Sequence, residues 1–440
     1  MRVGIVSHSN GAGGAAIAAG RLHQALLAAG ADSRMFVRHA AAEMPYTEVL
    51  GPRRPALLNQ LRSPLVLRAL RLSGLSGRGG INESLNLLPS RVAPRLNAGA
   101  LDLVNLHWIH RETLSLADIS RITKPVVLTL HDMWWLLGSE HYRDDFLHRA
   151  PPWASPAPTV AAGSNRTLPG AATPWVGLDR WMLARKRRLL PRRVAVLAPS
   201  EWLAAQARRS LVFADIEVRT IANGLPLDIF RPFDAETRRQ LKREFGLPQH
   251  QICLSFGAFH VDSDLRKGAR ELIAALAEVA RQGRAKEFHL AIFGGPAPRE
   301  LRELPFGITE VGTIDSPQRM AQLLNAVEAA VVPSRLENLP QTATEAIACG
   351  CPVLGFDISG MRDAVTQGVT GWLAAAYSPT ELAANLLRLQ DADRMAAFRQ
   401  AGPRFAAEHW ESRLVGERHL RFFEEFVRAS PAGRAQPCQP

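Results

Sequence analysis

Four cysteines in 440 residues leave little material for disulfide or metal chemistry. They are Cys253, Cys349, Cys351 and Cys438. The Cys349-Gly350-Cys351 pair has neither a second cysteine pair nor histidines at zinc spacing, so incidental thiols and no metal centre are expected. Long apolar runs are also missing. No stretch reaches the roughly 18 consecutive apolar residues that a membrane helix needs. The opening Met1-Arg2-Val3-Gly4-Ile5-Val6-Ser7 is too short an apolar run for a signal peptide and reads as a first strand, which predicts a cytoplasmic protein. Without a secretion signal, the sequon Asn165-Arg166-Thr167 carries no consequence.

Acids are in deficit. Lys and Arg number 53 against 41 Asp and Glu, giving a formal charge of +12. Such a balance admits an anionic partner: a nucleotide sugar, an anionic membrane surface or nucleic acid. The basic residues lack the aromatic interleaving and motif signatures of RNA or DNA readers, so no nucleic-acid partner is expected.

What is present is alternation. Apolar, β-rich runs at Arg2–Ser7, Ser33–Val37, Val104–Trp108, Val126–Leu130 and Val194–Ala198 alternate with helical patterns such as Ala15–Ala29. The series restarts near residue 250 with Ile252–Phe256, Phe288–Phe293, Ala329–Pro333 and Val353–Phe356, separated by helical Lys267–Arg281 and Gln318–Val327. Continuous apolar strands joined by helices imply parallel sheets covered on both faces. The predicted fold class is therefore α/β, with two doubly wound Rossmann-like domains. Turn residues at Asn223–Phe233 mark the break, giving domains at 1–225 and 226–408. A terminal helical segment at 409–428 and a disordered tail at 429–440 complete the chain.

Open parallel sheets bind ligands beyond the carboxyl ends of their strands, and the unusual residues gather there. Strand Ala329–Pro333 runs into Ser334-Arg335-Leu336-Glu337-Asn338-Leu339-Pro340. Pro340 suits a first helical position and Gly350 the position past the end, so a helix over Pro340–Cys349 is predicted, with Glu345 in its second turn. Its opening amides suit a diphosphate, and Glu337 and Glu345 suit paired hydroxyls of sugar and ribose. Acidic partners of a helix dipole would explain each carboxylate separately. Arg266 and Lys267, after strand Ile252–Phe256, could neutralise a leaving diphosphate or simply face solvent. Gly11-Ala12-Gly13-Gly14 permits close backbone approach or a plain tight turn. It is not the dinucleotide fingerprint, because no acid follows at the end of the second strand. His131 closes strand Val126–Leu130, with His107 and His141 as weaker candidates for the same region.

Together, Glu337-x7-Glu345, Arg266-Lys267-Gly268 and Thr129-Leu130-His131-Asp132 resemble glycosyltransferase family 4. Val104-Asn105-Leu106-His107-Trp108-Ile109 and Leu130-His131-Asp132-Met133-Trp134 are similar to its colanic-acid and exopolysaccharide branch. The resemblance spans about residues 1–425. It implies a GT-B fold, whose two domains face each other across a cleft, with a C-terminal helix crossing back to the first domain. It implies Glu345 on the donor ribose, and Glu337 with the amides of Asn338 and Leu339 at the donor sugar and phosphate. Lys267, helped by Arg266, would hold the leaving diphosphate, and Arg266 would stand in for an arginine that many members carry where this chain reads Gly257-Ala258-Phe259. His131 would face the donor sugar, Gly13 or Gly14 would lie beside the diphosphate, and Gly312-Thr313-Ile314 would lie against the base.

These features imply a metal-independent, retaining hexosyltransferase. It would take no cofactor beyond a UDP- or GDP-linked donor and would use a saccharide or polyprenyl-linked acceptor. The basic segments Arg53–Arg95 and Arg180–Arg193 suit peripheral contact with anionic lipid on the inner face of the cytoplasmic membrane, or a solvated basic face. A GT-B nucleotide-sugar epimerase, a non-catalytic sugar binder and a basic nucleic-acid binder are the rival readings.

Overall fold

The computed structural model describes residues 1–257 and 264–429, apart from 12, 51–64, 67, 69–82, 91 and 143–173. Residues 430–440 of the tail expected at 429–440, and about two thirds of the basic Arg53–Arg95 segment, lie outside the described residues. The chain divides into two compact units. Among the described residues, unit 1 takes in those up to 142, 174–224 and 412–429, and unit 2 those of Leu225–Glu411.

Unit 1 is built on β1 (Arg2–Ser9), β2 (Asp32–His39), β3 (Thr47–Val49), β4 (Leu103–Leu106), β5 (Val126–Thr129), β6 (Val194–Ala198) and β7 (Val218–Thr220). They pair in parallel in the order β3-β2-β1-β4-β5-β6-β7. Unit 2 repeats the plan with β8 (Ile252–Gly257), β9 (Phe288–Phe293), β10 (Gly307–Gly312), β11 (Ala329–Val332), β12 (Val353–Phe356) and β13 (Gly371–Ala374). Their order is β10-β9-β8-β11-β12-β13, again all parallel. The interior strands β4, β5, β6, β11 and β12 are buried at every residue, which is why they read as unbroken apolar runs. The edge strands β3, β7 and β10 carry no such signal, since most of their residues face solvent.

Helix α1 (Gly14–Ala28) buries an Ala-rich face. The last helix of the chain packs on it, so the expectation that the C-terminus returns to the first Rossmann-like sheet holds. A Cβ at Gly416 would fall 2.6 Å from the Ala25 carbonyl oxygen, so only glycine allows this approach of the two backbones. Further along the last helix, Phe422 and Phe423 enter the core of Val3, Ile5, Leu26 and Val127. The helix itself starts at Ser412 rather than Trp410. The preceding helix, Ala392–His409, continues through Pro403 and uses Trp410 as its C-cap.

Candidate active site

Both sheets reverse their winding direction once, between β1 and β4 and between β8 and β11. At such a switch point the two neighbouring loops leave in opposite directions and open a crevice at the carboxyl ends. In unit 2 the two loops are those carrying Lys267 and Glu337.

The loop after β8 ends in a 3-10 turn, Leu265–Lys267, followed by Gly268 at φ +67°. Ala269–Arg281 then forms helix α2, two residues later than the periodicity suggested. A Cβ at Gly268 would sit 1.8 Å from the Pro333 carbonyl oxygen, so this glycine sets how closely the turn approaches the loop after β11. Arg335 N–H donates to the Arg266 carbonyl at 2.7 Å and ties the two loops together. Across this junction Lys267 Nζ donates to Glu337 Oε1 at 2.8 Å, and Ser334 Oγ donates to the same oxygen at 2.9 Å. Burial by itself would raise the Glu337 carboxyl. Lys267 and Arg266 outweigh that and hold it below its ordinary value, so Glu337 is ionised near neutral pH. The second predicted cation behaves differently. Arg266 forks onto Asp264 at 2.9 and 2.5 Å, leaving Lys267 as the member of the pair that meets Glu337.

Helix α3 (Gln341–Ala348) follows directly. Pro340 is its N-cap, not its first residue: ψ is 119°, and its carbonyl accepts from Ala343 and Thr344. Gly350, at φ +73°, ends the helix as expected. Glu345 is buried in the second turn. Asn338 is half-buried and Leu339 buried between Glu337 and the helix. A feature not read from the sequence is the support from beyond β12. Ser359 Oγ accepts from Glu337 N–H at 3.0 Å, and Gly360 N–H donates to the Glu337 carbonyl at 3.0 Å. A Cβ at Gly360 would overlap the Asn338 carbonyl oxygen, 1.2 Å away. Gly312 ends β10 at φ +80°, followed by exposed Thr313 and half-buried Ile314. They lie on the same carboxyl edge, with β9 between β10 and β8.

In unit 1 the loop after β1 reaches Gly13, the N-cap of α1 at φ +90°, and Gly14 opens the helix. A Cβ at Gly13 would meet nothing within 4 Å, so backbone angle, not crowding, favours glycine there. Beside it, β4 and β5 bring His107 and His131 together, with Nδ1 of His107 and Nε2 of His131 2.8 Å apart. Behind them lies a buried polar cluster. Asp132 Oδ2 accepts from Trp108 Nε1 at 2.9 Å and from His141 Nδ1 at 2.5 Å, while Trp134 N–H donates to Oδ1 at 3.0 Å. His110 Nε2 stands 3.8 Å from Asp132 Oδ2. His110, Asp132 and His141 could in principle hold a metal. However, two ligands of one ion, each about 2.0–2.2 Å from it, cannot sit 2.5 Å apart in tetrahedral geometry. The geometry is that of a histidine–carboxylate hydrogen bond, reinforced by an indole donor.

One residue of the expected basic face turns inward. Lys186 is fully buried, donating to the carbonyls of Trp134, Leu137 and Gly138, with its ammonium 3.7 Å from the Trp134 ring centroid. The Leu137 and Gly138 carbonyls lie just past a 3-10 turn, and the inward lysine supplies them with a donor that a solvated one would not. Arg187 and Arg188 remain exposed on the same helix, with Trp181.

Burial lowers the histidines of unit 1 together: His8 to about 3, His131 and His419 to about 4, and His107 and His110 well below the ordinary value. The folded state keeps them neutral, whereas the unfolded chain takes up protons near pH 6.5. Below that pH the unfolded state binds more protons, so the stability these groups contribute above pH 6.5 falls as pH drops towards 4. The thermal midpoint of unit 1 is expected to be clearly lower at pH 5 than at pH 7.5. Equal midpoints at the two pH values would contradict the burial argument.

Residues 250–392 match the family model described as Glycosyl transferases group 1, a span containing Lys267, Glu337 and Glu345. Among curated proteins, D-inositol 3-phosphate glycosyltransferase 1 of Catenulispora acidiphila is 31% identical over 50% of this chain and 54% of its own length. The D-inositol 3-phosphate glycosyltransferase of Saccharomonospora viridis is 26% identical over 68% and 70%. The chain spans about half the length of the first curated relatives it matches. Among solved structures, sucrose-phosphate synthase from Thermosynechococcus elongatus has a TM-score of 0.64 at 19% identity, covering 98% of this chain and 100% of that one. Anabaena HepE, solved with UDP and glucose, has a TM-score of 0.61 at 16% identity over 96% and 99%. The fold, two Rossmann-like α/β units of GT-B type, is shared with these structures. The relatives are not specifically of the colanic-acid branch.

Proposed function

We propose that this chain is a retaining glycosyltransferase, moving a sugar from a nucleotide-diphosphate donor to a saccharide or lipid-linked acceptor in glycoconjugate or polysaccharide synthesis. The observation that carries the reading is the Lys267–Glu337 contact at the switch point of unit 2, immediately before the helix that buries Glu345. A departing nucleoside diphosphate develops negative charge. A fixed ammonium and the amides at a helix start stabilise that charge without reorganisation, and no metal is required of the mechanism. Glu337, held ionised, accepts from donor-sugar hydroxyls, and Glu345 does the same for ribose. The acceptor hydroxyl attacks from the face that the diphosphate leaves, through an oxocarbenium-like transition state, so the anomeric configuration is retained. An epimerase would lack the acceptor step.

The structural neighbour solved with UDP and glucose supports a UDP-linked donor over a GDP-linked one. The curated relatives support a second acceptor reading, a phosphorylated polyol, which the chain's +12 charge also suits. Trp181, Arg187 and Arg188 are among the described, exposed residues that would touch anionic lipid. Failure to bind anionic vesicles at low salt removes that contact from the proposal.

Thermal stabilisation by UDP, GDP, ADP and dTDP, without added metal, tests the donor site. A ligand at about 100 times its Kd stabilises the folded state by about 2.7 kcal/mol. UDP is expected to raise the midpoint of the wild type and to leave Glu345→Ala nearly unshifted. An equal shift in both proteins would take Glu345 out of the nucleotide site.

A further inference from the structure

His131 is a ring with two chemically different edges, and which edge carries the proton decides whether it accepts or donates a hydrogen bond. The chain of contacts behind it answers that question from one fixed end. Asn105 lies in β4, fully buried in a sheet of apolar residues, and its side chain makes three polar contacts. Its Nδ2 donates to the Val127 backbone carbonyl at 3.0 Å and to Thr129 Oγ1 at 2.8 Å. The reversed amide would set two carbonyl oxygens against each other, so the Val127 contact fixes which end is nitrogen. Asn105 Oδ1 is therefore the atom 2.8 Å from His107 Nε2, and because it can only accept, His107 Nε2 carries a proton.

Burial, with His131 and His419 as neighbouring rings, keeps His107 neutral at pH 7, so its other nitrogen is a bare lone pair. That nitrogen, Nδ1, is 2.8 Å from His131 Nε2. His131 must then donate from Nε2. Being itself neutral in this environment, it keeps Nδ1 unprotonated. Among the described residues, His131 Nδ1 has no hydrogen-bond partner, and the ring is only half-buried.

We propose that Asn105 and His107 are positioning residues: through the Val127–Asn105–His107–His131 chain they lock His131 as its Nε2–H tautomer and leave Nδ1 as an acceptor for a ligand hydroxyl. The acceptor role rests on the reading of His131 as a site residue; the tautomer does not. A donor sugar or an acceptor offers O–H groups, and an imidazole locked this way receives one without first paying to change tautomer. The same lock turns the ring away from donating to a phosphate oxygen, so it selects a hydroxyl over an anion at that position. Hydrogen-bond partners behind metal-bound histidines act in the same way, fixing tautomer and ring orientation.

The test is a long-range proton–nitrogen spectrum of the imidazoles in the full chain, labelled with nitrogen-15 histidine at pH 7. His131 is assigned by the signals missing from His131→Gln. In the wild type His131 is expected to show a protonated Nε2 and a bare Nδ1. Asn105→Leu removes the acceptor that orients His107, and the His131 tautomers are then expected to mix or reverse. Turnover in Asn105→Leu is expected to fall roughly 10–100-fold, the usual scale for a second-layer partner, with the donor KM nearly unchanged. A wild-type His131 protonated at Nδ1 overturns the proposal, and that measurement does not depend on any variant folding. An unchanged tautomer in folded Asn105→Leu overturns it too. The two layers separate cleanly. If the tautomer is as stated but His131→Gln keeps full turnover, the lock stands and the site reading of His131 fails. If His131→Gln loses turnover while the tautomer is Nδ1–H, the site reading stands and the lock fails.

Discussion

Lys267→Ala is expected to lower kcat by about 10²–10³-fold, the usual cost of removing one preorganised group from a developing charge. Two effects combine. The leaving diphosphate loses its ammonium, and Glu337 loses the cation that opposes its burial. With a side chain only 13% exposed, Glu337 is sensitive to that loss. Burial raises a carboxyl and Lys267 leads the lowering, so in Lys267→Ala the Glu337 carboxyl must titrate at higher pH than in the wild type. The residual activity of the variant is therefore expected to rise with pH over a range where the wild type is flat. Glu337→Gln keeps the shape, loses the charge and should fall by a similar factor without the new pH dependence. Steady-state kinetics with nuclear magnetic resonance of the product anomer would check rate and retention in one experiment. Full activity in either folded variant would remove that residue from the mechanism.

A second large effect is expected at a residue that touches no proposed ligand. Glu271, in α2, and Arg335, in the loop after β11, form a buried pair with Arg335 Nη1 and Glu271 Oε1 3.1 Å apart and side chains 6% and 1% exposed. Burial raises the Glu271 carboxyl and Arg335 opposes it, but the net direction is upward, so ionised Glu271 is disfavoured inside the protein relative to water. The pair is therefore not a source of net stability. Breaking it is nonetheless expensive, because the partner left behind is an uncompensated buried charge. Glu271→Ala is expected to destabilise unit 2 by about 3–5 kcal/mol. Scanning calorimetry should show a midpoint lower by roughly 10 °C for a unit of this size. Replacing both, as Glu271→Leu with Arg335→Met, should recover most of the loss. If the single variant melts like the wild type, the pair is not buried as described. Arg335 also donates to the Arg266 carbonyl, and its own carbonyl accepts from Tyr377 Oη at 3.1 Å. Weaker nucleotide binding should accompany the lost stability, since Glu337 stands two residues along the same loop.

Much of this was legible in the amino-acid sequence. A strand buried on both faces must be apolar throughout, so the interior strands declared themselves, and Val194–Ala198, Phe288–Phe293 and Val353–Phe356 were placed to the residue. The repeat of strand and helix on either side of residue 225 follows from the same constraint. Loops at carboxyl ends of parallel strands hold polar residues that no core demands, which is why Lys267, Glu337 and His131 stood out. The edge strands β3, β7 and β10 escaped notice because half-exposed backbone imposes no hydrophobic pattern, and the helix start was placed one residue early, at Pro340, because a cap is defined by ψ, which proline's ring does not fix. Asn105 and Asp132 could have been flagged as polar residues inside or beside apolar strands, but their partners could not.

Periodicity therefore determined the fold class and the edge of each sheet where chemistry gathers, because burial of each element is set by neighbours close in sequence. Only the tertiary structure decided the pairings: Lys267 with Glu337 and not Arg266, Ser359 and Gly360 under the Glu337 backbone, Lys186 inward, and His107 behind His131. Each joins residues from different elements. Their contact depends on strand order, close approach at Gly268 and Gly360, and the direction of a hydrogen bond, none of which leaves a periodic trace in the chain.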